Sequence, residues 1–401
     1  MSSMRSDWKE VRLGDYISIK SGLAYQGSKI GHGDALLLGM GCVSFKDKFV
    51  YDGARPYDDN SINDSYCVLP GDIVLATRQQ SDNLPILAMP AIIPEDLNSK
   101  KIIFGTNLYK IENNSEISNK FIYWLLKHQH YVAYISGIKS GTAVQMVTKK
   151  NIEKYKFLCP PYEQREKIAE SLWNYDQLIE NNNKRIKILE DMAESLYKEW
   201  FVRFRNPLQR KKIGKVNDLC SIKSGFAFKS DDWQETGSKV VKIKDLDGDF
   251  VNTNNLDCVS EEVAKKAIKF RLNTGDLTIA MTGATIGKIG IVKDDNLYTN
   301  QRVGKFFVDK KYVPYLYCFF KQEHIVETVI VFSGSSAAQP NISGENLEKI
   351  DMPFDKELID KFSVVVNPVF NEIITLLKRN DYLIQQRDAL LPRLMSGKLE
   401  V

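Results

Sequence analysis

The chain repeats itself, and the repeat narrows the folds open to it. Ile19-Lys-Ser-Gly22 recurs as Ile222-Lys-Ser-Gly225, a shift of 203 residues. Gly71-Asp-Ile-Val-Leu-Ala-Thr77 recurs as Gly275-Asp-Leu-Thr-Ile-Ala-Met281, a shift of 204. Thr106-Asn107 answers to Thr299-Asn300, and Ser140-Gly-Thr142 to Ser333-Gly-Ser335, both at a shift of 193. The blocks keep their order while the offset drifts, so the copies differ in loop length. Each copy contains a mixed segment followed by a segment poor in Pro and Gly.

The mixed segments read as α+β. Short β-branched runs bounded by Gly, Asn and Asp predict strands at Asp72–Ala76 and Ile286–Val292. Phe121–Tyr134 and Tyr312–Val329 predict helices. The other segments carry heptads. Positions 168, 172, 175, 179, 182, 186, 189, 193, 196 and 200 alternate in steps of four and three and are apolar except Asn182. Their counterparts from Phe362 to Leu394 break only at Asn380 and Arg387. Such a period predicts a coiled-coil seam. Pro368 predicts a kink or a late start in the second helix.

The expected organisation is a first α+β domain over 1–160, a spacer helix over 161–206, a second α+β domain over 207–352 and a spacer helix over 353–401. An antiparallel pairing with residue i opposite 562 − i brings Asn182 to Asn380, since a mismatched register buries two unsatisfied amides. It also sets Tyr175 against Arg387, where a ring and a guanidinium stack. The domains are then expected at opposite ends of a rod with a pseudo-twofold axis, and Val401 near the start of the first domain.

Composition excludes several classes. No run of about 18 apolar residues predicts a membrane span, and the first residues lack the apolar stretch of a secretory leader. The six cysteines are scattered without ligand spacing, which fits a reducing cytoplasm and no zinc module. Four histidines leave little for metal or triad chemistry. A net charge of +4 is weak evidence for nucleic acid.

Motifs that suggest catalysis fail on inspection. Cys159-Pro-Pro-Tyr162 resembles the loop of amino-methyltransferases, but cysteine is a poor acceptor for the target amine and no glycine-rich cofactor loop accompanies it. Gly283-Ala-Thr-Ile-Gly287-Lys288 is one residue short of a phosphate-binding loop and lacks its Ser or Thr. No catalytic or metal-ligating residue is expected. Candidates for DNA are another matter. Arg78, Gln79 and Gln80 follow a predicted strand and suit base edges. Lys46, Lys48, Lys242 and Lys244 suit phosphates. The turn with Thr282, Thr285 and Lys288 offers backbone N–H groups and an ammonium to a phosphate. Gln339 and Asn341 follow a run of small residues that permits close backbone approach.

The whole plan resembles the specificity subunit of a type I restriction–modification enzyme. The resemblance rests on Gly275-Asp276-Leu277 with Thr282–Lys288, on Gln339-Pro-Asn341, on Pro160-Pro-Tyr-Glu-Gln164 and on Leu390-Leu-Pro-Arg-Leu-Met-Ser-Gly-Lys398. It implies two target recognition domains, each reading half of a split double-stranded DNA sequence, and helices that dock two methyltransferase subunits. It implies no active site here. S-adenosylmethionine, ATP and magnesium then belong to the methyltransferase and restriction subunits, and no membrane is involved. An orphan subunit without a working partner is the alternative within that class. A self-contained methyltransferase would need a cofactor domain, and a coiled-coil adaptor would leave two matching domains unexplained.

Overall fold

The structure is a computed structural model. It describes every residue except 1–6, 59–61, 81–84, 98, 100, 142–143, 204–211, 335–339 and 400–401. The chain forms two compact units, Met1–Ile179 with Leu383–Val401, and Glu180–Tyr382. Each unit therefore takes one stretch of each long helix, Tyr162–Tyr197 and Lys356–Met395.

In the first unit, a four-stranded antiparallel sheet runs in the order Ile17–Ser21, Leu108–Asn113, Ile73–Ala76, Pro90–Ile92. A second sheet has Ile30–Leu38 between Ala54–Tyr57 and, in parallel, Lys101–Phe104. In the second unit the same order returns as Ser221–Ser224, Val303–Phe307, Leu277–Ala280, Ile289–Ile291. A five-stranded sheet stands beside it, again with one parallel pair, Ser238–Val241 with Leu297–Thr299. The repeated Ile-Lys-Ser-Gly ends at the crossing between the sheets. A Cβ on Gly22 would lie 2.1 Å from the Gly105 carbonyl oxygen, and one on Gly225 2.4 Å from that of Thr299. Only glycine lets the backbones approach so closely, which accounts for the matching blocks around 106 and 299.

Each expected domain helix is two helices. Asn119–Lys127 breaks at His128 before Gln129–Ile138, and Val313–Phe320 is followed by Glu323–Phe332. His128 and Gln322 both adopt extended backbone, with ψ of 140° and 131°. Neither break has a Pro or Gly to announce it. The strand expected over Ile286–Val292 is shorter, because Gly283–Thr285 forms a turn of 3-10 helix ahead of Ile289–Ile291.

The long helices run antiparallel within each unit. In the first, Ile168 and Leu172 share a core with Leu391, Leu394 and Met395. In the second, Ile186 packs with Ile373 and Leu376, Trp200 meets Phe362 at 5.8 Å between ring centroids, and Arg185 pairs with Glu372 at 2.9 Å. The amide of Asn182 donates to Asn380 Oδ1 at 2.8 Å, and Asn380 Nδ2 donates to Asn183 at 2.7 Å. Every seam position of both helices is at least partly buried.

Two sequence expectations about the helices need correction. The second helix does not start late: it runs from Lys356 through Pro368 to Met395, with that proline exposed and its turn beginning at Val364, which is 75% exposed. The carbonyl left without a proline N–H therefore belongs to a turn at the helix surface. Arg387 is not stacked on Tyr175. Its guanidinium bonds Asp176 at 2.5 Å and lies 5.5 Å from the centroid of Trp124. Gly397 lies against Trp8, where an added Cβ would stand 3.2 Å from the indole; Val401 is outside the described residues.

Glu190, on the first long helix, is raised to about 7, chiefly by burial and then by the charge of Asp249, with Lys321 and Lys187 opposing and Asp191 adding. Asp249 is itself paired with Lys321 at 2.9 Å. The fold thus favours protonated Glu190. Its contribution is complete below the ordinary glutamate range and is lost as pH rises through about 7. The urea midpoint of the second unit should fall between pH 5 and pH 7, and Glu190→Gln should flatten that dependence. An unchanged slope in the variant would refute the assignment.

Candidate nucleic-acid interface

In the first unit the central strand Ile73–Ala76 is buried on both faces. Thr77 then anchors the chain, its N–H and its hydroxyl both donating to the Asn107 carbonyl, at 3.0 and 3.1 Å. Arg78–Gln79 pairs antiparallel with Gln145–Met146, with Met146 opposite Arg78 and Gln145 opposite Gln79. Alternation along a strand sends neighbouring side chains to opposite faces. Arg78 and Met146 are exposed; Gln79 is 5% exposed.

Gln79 is therefore not placed to read a base. Its Nε2 donates to Gln145 Oε1 at 2.6 Å, and its Oε1 accepts from Leu87 N at 3.0 Å. The amide fixes the loop instead. The preceding strand is buried on both faces, so no alternation in the sequence marked Gln79 as inward. Gln80 is exposed. Burial raises the Tyr109 hydroxyl, and the nearby charge of Arg78 opposes that rise.

The four candidate lysines divide. Lys46 is exposed on a turn in which the Ser44 hydroxyl accepts from the N–H of Lys46 and of Asp47, at 3.1 and 3.2 Å. Lys127 Nζ supports this turn from below, donating to the carbonyls of Phe45 and Asp47 at 3.1 and 3.2 Å. Lys48 lies over Trp173, 3.9 Å from its ring centroid, and is half-buried. Lys242 and Lys244 both pair with Asp257 at 2.9 Å and hold its carboxyl below the usual range. Lys242 also covers Trp233 at 3.4 Å. Lys48, Lys242 and Lys244 thus have partners within the protein, while the Lys244 side chain stays 55% exposed. Trp173 lies 125 residues from Lys48, and Trp233 and Asp257 reach Lys242 across paired strands, so no helical or strand spacing could show it.

The second unit builds the same frame. After the strand Leu277–Ala280, Thr282 forms an antiparallel bridge with Asn341. Ile342 N donates to Met281 O at 3.0 Å and Gly283 N to Pro340 O at 3.2 Å. Gly283 and Gly287 turn the loop with φ of 77° and 82°, which suits glycine. Most N–H groups of this turn are engaged within the protein. Those of Gly283, Ile286, Gly287 and Lys288 all donate to backbone carbonyls, and the Thr285 hydroxyl is buried without a partner among the described residues. Lys288 and Asn341 are exposed and Thr282 is half-exposed. Gln339 lies outside the described residues.

Among the described residues, no group of three or more His, Cys, Asp or Glu is arranged to hold a metal ion, and no helix is long and apolar enough to cross a membrane.

The family model for the type I restriction modification DNA specificity domain matches residues 5–191 and 210–355. The chain belongs to that family. Two matched segments agree with two units built on one strand order. Among curated relatives of this specificity family, the MjaVIII specificity subunit of a type I restriction enzyme from Methanocaldococcus jannaschii is 28% identical over 249 residues, which is 56% of this chain and 58% of that one. The chain thus spans under two thirds of that relative. The HindI specificity subunit from Haemophilus influenzae is 21% identical, across 98% of this chain and 100% of that one. A crystal structure of a type I restriction–modification S subunit from M. genitalium superposes with a TM-score of 0.62 at 16% identity, over 98% of this chain and 97% of that chain. At that identity the likeness shows a shared fold.

Proposed function

We propose that the chain is the non-catalytic DNA-recognition subunit of a type I restriction–modification complex. Each unit's α+β part reads one half of a bipartite double-stranded target. The long helices dock two methyltransferase subunits, which carry S-adenosylmethionine, and restriction subunits with ATP and magnesium complete the complex. It works in the cytoplasm, where DNA and these partners meet.

One observation carries the reading. Both units raise a loop after the central strand and pair it with a second loop, Arg78 with Met146 and Thr282 with Asn341. The frame is shared, while the outward side chains differ. That is what a protein reading two different half-sequences from one scaffold requires, because base edges are told apart by side-chain chemistry. Lys46, Gln80 and Lys288 are exposed and available to DNA.

The test is an exchange. Replacing residues 1–150 by those of another family member should rewrite one half of the sequence methylated by the assembled complex and leave the other half intact. A change in both halves, or in neither, would refute the reading. The purified chain with S-adenosylmethionine should methylate nothing until methyltransferase subunits are added. Binding by the complex should weaken steeply with salt, as phosphate contacts release counterions.

A further inference from the structure

Met146 is a residue that sequence reasoning passed over. Its backbone is pinned on one side by two bonds to Ser140, N to O at 2.8 Å and O from N at 3.0 Å. On the other side it faces Arg78 across the strand pair. Its side chain is nonetheless 43% exposed, with Val144 at 40% two residues before it. Behind the pair, Gln79 and Gln145 lock the opposite face. A flexible apolar side chain is thus held at the surface, on an ordered backbone, beside a guanidinium that has no ion pair among the described residues.

From this geometry we infer that the two outward residues of each cross-strand pair form a unit that sets the bases read by that half. The inference rests on the proposed reading of the two units as DNA-recognition domains. In the first unit, Arg78 supplies donors to the O6 and N7 edge of a guanine, and Met146 packs on the 5-methyl group of a thymine at the adjoining base pair. A guanidinium matches the first edge bidentately, and the methyl is the apolar feature of the major groove. In the second unit the same two backbone positions present Thr282 and Asn341. There the Asn341 amide both donates to and accepts from an adenine edge, with the Thr282 hydroxyl beside it.

The experiment uses the full chain assembled with its methyltransferase subunits and reads the methylated sequence together with binding to target duplexes. Arg78→Ala should relax one G·C position, and Met146→Ala one neighbouring A·T position. The first should lower discrimination roughly 5- to 150-fold and the second about 4-fold, as for one buried methyl group, with the other half-site untouched. Replacing that thymine by uracil, which removes only the methyl, should weaken the wild-type complex and leave Met146→Ala indifferent. Asn341→Ala should relax an adenine position in the other half alone. If the exchange of residues 1–150 rewrites a half-site while Arg78→Ala and Met146→Ala leave the sequence unchanged, the pair assignment falls and the recognition reading stands. If the exchange itself changes nothing, both fall. If Met146→Ala relaxes a position but remains as sensitive to uracil as wild type, the methyl contact is wrong.

Discussion

Replacing Asp176 by alanine should destabilise the first unit by about 3–5 kcal/mol. The carboxylate is 4% exposed and the Arg387 side chain beside it 11% exposed. Burial pushes the Asp176 carboxyl up, and the charges of Arg387, Lys48 and Lys127 pull it back. Lys127 is itself lowered to about 8, chiefly by burial, with Asp176 opposing that shift and Arg387 adding to it. Asp176 is the shared counter-charge of three cations. Its loss leaves them facing one another in a poorly hydrated place, and an uncompensated buried charge costs more than the pair itself contributes. Urea unfolding would measure the loss. Asp388→Ala, which removes an exposed partner of the same arginine, should cost no more than about 1 kcal/mol. The double change Asp176→Leu with Arg387→Met should recover only part of the stability, because it removes the buried pair but leaves Lys48 and Lys127 without the carboxylate. A single Asp176→Ala as stable as the parent would mean that water reaches Arg387.

Phe362→Ala should cost the second unit about 3–5 kcal/mol. Phe362 is fully buried at the start of the second long helix. Its ring centroid lies 5.3 Å from that of Phe201, 5.8 Å from Trp200, 6.0 Å from Tyr197 and 6.2 Å from Tyr315. Trp200 and Phe201 reach it from a short π-helical segment, Lys198–Val202, that widens the end of the first long helix. Truncation removes one ring and leaves four around a void that rigid aromatics fill poorly. Val364→Ala, two residues on and exposed, should change stability by less than about 0.5 kcal/mol. Equal losses for the two variants would show that the aromatic cluster does not hold the helix end.

Much of this architecture could be read from the chain. The repeat blocks mark equivalent points of equivalent sheets, because the close crossing at Gly22 and Gly225 admits no other residue. The heptads mark the seam, because a period of 3.5 residues fixes which face of a helix meets another. What escaped reading depends on contacts between distant residues. The break at His128 has no local signal, and the fate of Lys242 and Lys244 is decided by Asp257. Arg387 looked like a partner for a tyrosine in a two-helix seam; a tryptophan and an aspartate claimed it once a domain packed against that seam. The candidate interface was half legible. Arg78 and Asn341 stand exposed, while Gln79 turned inward and Met146 outward, opposite to what polarity alone suggests.

The division of the chain into units has a consequence for biosynthesis. Residues 383–399 complete the core around Trp8, Leu172 and Tyr123, yet the ribosome makes them after the whole of Glu180–Tyr382. The second unit can therefore finish folding while the first still lacks a wall. A nascent chain holds the first unit open until residues 383–399 emerge, and a stop codon near 383 would spoil the unit translated before Glu180.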